Sequence, residues 1–176
     1  MKGRLSKFFD HLIDFFAALG SILGLIMMVA IVIDVIMRQF FNRPNGWIVE
    51  YSEYALLYIT FLPAAWLLRE DGHVRLDLVI DNISHKKRCF LNGLTSILCT
   101  FVFMIFTYYS FLSTWDLFES GYRMATATRT FKWPIQAAIP IGSFLVTIQF
   151  IRSAFNYFRE IKLPEQYINK KEMIDG

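Results

Sequence analysis

Three long stretches of this chain carry no charged side chain, and they limit what it can fold into more than any other feature. Phe15–Ile33 and Trp133–Ile151 each hold 19 such residues, and Cys89–Trp115 holds 27. A helix rises about 1.5 Å per residue, so runs of this length match a hydrocarbon layer about 30 Å thick. A soluble domain of 176 residues with 55% apolar and only 19% charged residues would lack the polar surface it needs. Disorder is excluded by the 18 Phe, 8 Tyr and 4 Trp, which would collapse in water. The chain reads as an all-α integral membrane protein, a single membrane domain over residues 1–176.

A fourth span is less plain. Tyr54–Leu68 supplies 15 uncharged residues, too few to cross alone. Adding Trp47–Glu53 completes a crossing, with Glu50 and Glu53 near one end. The expected spans are therefore 15–40, 47–68, 89–115 and 133–155, followed by a cytoplasmic tail, 156–176. The first apolar run is too long for a signal-peptide core, and no small-x-small cleavage site follows it, so it reads as a retained span. Cys89 and Cys99 both lie in the third run, so no disulfide framework is expected.

Orientation follows from the basic residues. Thirteen Lys and Arg fall in the N-terminal segment, the loop between the second and third spans, and the tail; the other five are Arg38, Arg43, Arg123, Arg129 and Lys132. That imbalance predicts both termini in the cytoplasm. Because the basic residues sit at span ends, the net charge of +3 does not imply a nucleic-acid partner. Asn42-Arg43-Pro44-Asn45-Gly46 predicts a tight turn joining the first two spans as antiparallel neighbours. Val74–Ile83 is too short and charged to cross; Leu76, Val79, Ile80 and Ile83 at helical spacing suit a short amphipathic cytoplasmic segment or a connector packed on the helices.

Ionisable groups within spans are functional candidates by default. Asp34 and Arg38 form an i,i+4 pair in the favourable order, and Glu50 and Glu53 approach the same layer from the next helix. The four suit either an acid relay or a structural ion-pair cluster around Arg38. None lies near the expected midplane, where coupling sites are usually found, which favours the structural reading. Pro63 and Pro140 each remove a helical hydrogen bond, to the Ile59 and Gln136 carbonyls, and predict bends. Small and hydroxyl residues at mid-depth, Gly20, Gly24, Ser96, Ser143 and Thr147 among them, favour helix–helix contact.

His11, His73 and His85 all fall outside the spans, which argues against a haem-binding subunit. No Walker motif, metal-spaced His/Cys set or catalytic triad pattern is present, so neither an enzyme nor a bound cofactor or metal is expected. The residues alone describe an accessory or scaffold subunit. The alternative is a small ion-coupled exporter working as a homo-oligomer, with Asp34, Glu50 or Glu53 as its proton-binding acid.

Asp34-Val-Ile-Met-Arg38, Phe41-Asn-Arg-Pro44, Trp47, Glu50, Phe61-Leu, Leu68-Arg69 and above all Gly72-His-Val-Arg-Leu-Asp77 resemble the small membrane subunit of TRAP transporters, the DctQ type. Trp133-Pro134 and Pro140-Ile-Gly142 are similar to that family too, and the likeness covers most of residues 15–155. The resemblance implies a tripartite, sodium-driven importer of an organic anion, of the sialic acid or C4-dicarboxylate class, in the bacterial inner membrane. Its partners would be a large elevator-type membrane subunit, a periplasmic binding protein and the lipid bilayer. This chain would be the fixed scaffold. Gly72, His73, Arg75 and Asp77 would then stabilise a cytoplasmic turn, while Arg43, Asn45, Arg123, Arg129 and Lys132 would be candidates to meet the periplasmic protein. The aromatic-rich stretch Phe101–Phe111 suits extensive contact with lipid or a larger subunit.

Overall fold

The computed structural model describes residues 4–41, 46–70, 85–126 and 128–161. They form five helices: α1 (Arg4–Phe41), α2 (Gly46–Phe61), α3 (Ala64–Glu70), α4 (His85–Glu119) and α5 (Lys132–Ile161). α1, α4 and α5 are long and apolar enough to cross a membrane. Each exceeds the span expected at its place, and α5 continues to Ile161, six residues into the expected tail.

The second expected span is not one helix. It parts at Leu62–Pro63 into segments of 16 and 7 residues, each shorter than a bilayer. Leu62 still donates its N–H to the Tyr58 carbonyl at 3.0 Å, and Leu67 donates to the Pro63 carbonyl at 2.9 Å, so each segment closes its own ladder around the gap. Pro140 does not part its helix; α5 continues through it without interruption.

The helices pack as a row. α1 lies against α2 and α3, those lie against α5, and α5 lies against α4 along much of its length. The α4–α5 pairing is antiparallel, because partner numbers rise on one helix as they fall on the other. Gly93 meets Phe158, Phe103 meets Phe150, Thr107 meets Thr147, Ser113 meets Gln136 and Phe118 meets Trp133. In the most apolar 18-residue window of each helix, 6% of α1, 17% of α4 and 44% of α5 is buried. α5 is therefore the centre, and α1 and α4 are the edges.

The distribution of polarity is inverted relative to a soluble protein. Asp34, Ser96, Ser143, Thr147 and Gln149 are buried, while Leu25, Met28, Phe101 and many other large apolar side chains are exposed. Hydrocarbon is as apolar as those side chains, so association rests on packing and hydrogen bonds. The short hydroxyls satisfy themselves: Ser21, Thr60, Thr100, Ser143 and Thr147 donate to the carbonyl four residues back.

At the waist of the row the close approaches involve glycine. A Cβ on Gly142 of α5 would stand 2.7 Å from both the carbonyl carbon and the Cβ of Phe61, at the break between α2 and α3. On the opposite side, a Cβ on Gly20 of α1 would stand 3.0 Å from the Pro63 ring. At Gly142 only hydrogen lets the interrupted helix seat against α5, and at Gly20 any side chain would have to push the Pro63 ring aside.

Candidate functional site

Among the described residues the ion pairs and the polar contacts between α2 and the α4–α5 segment lie at the two ends of the row. One end carries the chain segment between α4 and α5, and the other lies near the N-terminus of α1.

At the first end, Glu50, Tyr54 and Tyr58 sit four residues apart and share one face of α2. The Glu50 Oε2 accepts from the Thr128 hydroxyl at 2.6 Å and from its backbone N–H at 3.4 Å. The Tyr54 hydroxyl lies 3.4 Å from Thr126 Oγ1, and the Tyr58 hydroxyl donates to the Pro134 carbonyl in the first turn of α5. This ladder fastens the loop and the start of α5 to α2. The loop is itself a small hairpin. Met124 donates to the Thr130 carbonyl at 3.0 Å, Lys132 donates to that of Tyr122 at 3.2 Å, and Arg123 bridges to Phe131. Gly121 at φ 59° and Arg129 at φ 47° adopt the left-handed conformation the reversal needs; the first is free for glycine, the second is strained for arginine.

The hairpin presents three cations. The Arg123 guanidinium stacks 4.1 Å from the Phe131 ring centroid, and the Lys132 ammonium lies 5.9 Å from that of Tyr122. Arg129 is exposed at the tip. Among the described residues none of the three makes an ion pair, so the three cations are open to an acidic partner.

The four acids and bases expected to gather around Arg38 are distributed differently. Arg38 and Asp34 are joined at 2.6 Å, with Asp34 buried and Arg38 exposed. Glu50 is turned to Thr128, and Glu53 is exposed. Gly72, His73, Arg75 and Asp77 lie outside the described residues, as do Arg43, Asn45 and the amphipathic segment 74–83.

The other end holds a network of which sequence reasoning used Arg69 and Arg152 to set orientation and left Ser6, Asp10 and Asp14 unused. Arg152 of α5 donates to Asp10 at 2.7 Å and to the Ser6 hydroxyl at 2.9 Å, and it lies 5.2 Å from the Phe9 ring centroid. Arg69 at the end of α3 pairs with Asp14 at 2.5 Å, reaches Glu70 at 3.3 Å and the Asp10 carbonyl at 3.5 Å. The hydrogen bond that Arg69 donates to Asp14 is the main cause holding the guanidinium above its ordinary range, so it stays charged at every working pH. Ser6, Asp10 and Asp14 repeat the four-residue spacing of the α2 ladder. The signal was present in the sequence as a polar i, i+4, i+8 stripe ahead of an apolar run. Beneath this network Ile13, Ala65, Leu68, Leu145 and Val146 form the buried core shared by α1, α3 and α5.

Between α1 and the break lies an open cleft of about 310 Å³, lined by Asp14, Ala17, Ala18, Ser21, Pro63 and Trp66. Among the described residues no group of three His, Cys, Asp or Glu side chains is placed to hold a metal ion. What the arrangement does chemically is to fix helices at both ends and present cations at one.

The model for the DctQ component of tripartite ATP-independent periplasmic transporters matches residues 27–160. The chain is also 25% identical over 138 residues to the sialic acid TRAP transporter permease protein SiaT of Haemophilus influenzae (strain 86-028NP). That alignment covers 77% of this chain but 21% of the relative, so the chain spans about a fifth of the permease it matches.

Proposed function

Since the chain belongs to the DctQ component family of tripartite ATP-independent periplasmic transporters, we propose that it is the stationary scaffold of a sodium-driven importer of an organic anion. Membership makes it a multi-pass integral membrane protein of the bacterial inner membrane and a transporter component rather than an enzyme. In this reading α2 and α3 together complete a second crossing, giving four spans with both termini in the cytoplasm. The thirteen-to-five distribution of basic residues supports that orientation.

The observation that carries the reading is the size of the relative. SiaT holds the matching segment within a permease about five times as long, so the transport machinery of that protein has room to lie outside this segment. A separate large membrane subunit supplies the moving part here, and this chain holds it in the bilayer. A periplasmic binding protein docks on the hairpin, where Arg123, Arg129 and Lys132 meet acidic side chains; Arg43 and Asn45 belong to the same proposed surface. The name of the relative supports a sialic acid cargo, with a C4-dicarboxylate as the other member of the class. Gly72, His73, Arg75 and Asp77 serve the cytoplasmic turn, and Asp34–Arg38 acts as a structural pair.

Co-expression with the large subunit of its own transporter, followed by mild detergent extraction, tests this. The two chains should elute together in a fixed ratio. Elution of this chain alone, as a homo-oligomer that transports by itself, would instead support the exporter.

A further inference from the structure

The two edges of the row differ in one respect that lipid alone does not explain. From Ile22 to Ile33 the α1 edge carries no polar side chain. The α4 edge carries Tyr108 and Tyr109, 61% and 66% exposed, with ring centroids 5.6 Å apart. Among the described residues neither phenol hydroxyl has a hydrogen-bond partner.

The hydroxyls of Thr95, Thr100, Thr107 and Thr114 on α4 return to their own backbone, four residues back. A phenol oxygen stands too far from its own helix to do so. Nor is water close. Tyr108 lies seven residues before Trp115, whose indole donates to Glu119 at 2.8 Å and marks the polar boundary. Seven residues place Tyr108 about 10 Å deeper, and helical side chains lean toward the N-terminus, here away from that boundary. A hydroxyl without an acceptor in hydrocarbon is costly, and acyl chains offer none.

We infer that the α4 edge at Tyr108 and Tyr109 is the docking surface for a transmembrane helix of the large membrane subunit, one that offers a carbonyl, amide or hydroxyl oxygen at that depth. This rests on the scaffold reading above, and the remaining four-fifths of the SiaT chain indicates how large the partner is. The α1 edge, aliphatic throughout its middle, faces lipid. Tyrosine suits the role because its ring fills a packed interface while its hydroxyl selects an acceptor.

The test uses the chain co-expressed with the large subunit, with photoreactive benzoylphenylalanine at Tyr108 or, in a second variant, at Met28 of α1, which is 66% exposed. Irradiation in membranes should join the Tyr108 variant to the large subunit and leave the Met28 variant joined only to lipid. Tyr108→Phe and Tyr109→Phe keep the rings, and each should lower recovery of the complex in detergent about threefold. Co-elution of the two chains with an adduct at Met28, or with Tyr108 joined only to lipid or to a second copy, overturns the assignment of the edge and leaves the scaffold reading standing. Failure to co-elute overturns both. Unchanged recovery of both phenylalanine variants overturns the part assigned to the hydroxyls.

Discussion

At the level of Pro63 the helices meet through backbone, with Gly20 on one side of the break and Gly142 on the other, and no charge takes part. Toward the N-terminus of α1 the same three elements meet through Arg152–Asp10 and Arg69–Asp14, and the hairpin meets α2 through Glu50–Thr128. The waist is thus held by shape and the ends by polar partners. The difference follows from the solvent. At mid-depth a charged pair would have to be desolvated, whereas close packing needs only small residues. Near the headgroups an ion pair is cheap to form, and it orients helices that packing alone leaves free to slide.

Volume added at the waist should therefore do the most damage. Gly142→Val drives a side chain into the Phe61 carbonyl, and we expect a loss of about 3 kcal/mol or more, read as a lowered thermal midpoint in detergent. Gly24→Ala is the matched control. A Cβ there meets nothing within 4 Å, and the change should be neutral or stabilising by up to about 1 kcal/mol. Equal effects of the two substitutions would remove the distinction between a fitted waist and ordinary helix surface.

Removing one partner at an end should cost less. Arg152→Ala removes the cation that meets Asp10, itself only 20% exposed, at 2.7 Å, and about 1–3 kcal/mol should be lost. Asp10→Asn in the same chain should recover part of it, because the carboxylate that Arg152 balanced is then neutral; no recovery would mean that Arg152 acts through its packing on Phe9. The smallest effect is expected at the hairpin. Thr128→Val removes the hydroxyl that Glu50 accepts from, and amide exchange across residues 120–131 should quicken about tenfold while the thermal midpoint holds. A fall in the midpoint as large as that of Arg152→Ala would place the hairpin in the core of the fold rather than at its end.

How far the sequence foretold this depended on the range of the interaction. The charge-free runs located α1, α4 and α5, because a span is a local property. The Asp34–Arg38 pair is four residues wide and equally legible. Pro63 announced a bend, but whether the helix bends or parts depends on Gly142, 79 residues away, and on Gly20. Pro140, chemically the same residue, leaves α5 intact. Glu50 was assigned to Arg38 by depth alone; its partner Thr128 is 78 residues distant and polar but uncharged, a type that charge reasoning overlooks. Arg69 and Arg152 were read as orientation signals and Asp10 and Asp14 were not used, and their pairing across α1, α3 and α5 needed the fold. The row itself, with bare edges in place of a closed bundle, leaves no trace in hydropathy, since lipid-facing and protein-facing residues are equally apolar.

The central claim, that this chain supports transport without performing it, is tested most directly by reconstitution. Proteoliposomes carrying a sodium gradient, with the cognate binding protein outside, would be loaded with this chain alone, or with this chain and the large subunit. Uptake of labelled sialic acid or a C4-dicarboxylate should be at background with this chain alone and should rise well above it, in a sodium-dependent manner, only when both are present. Sodium-driven uptake by this chain alone would contradict the account.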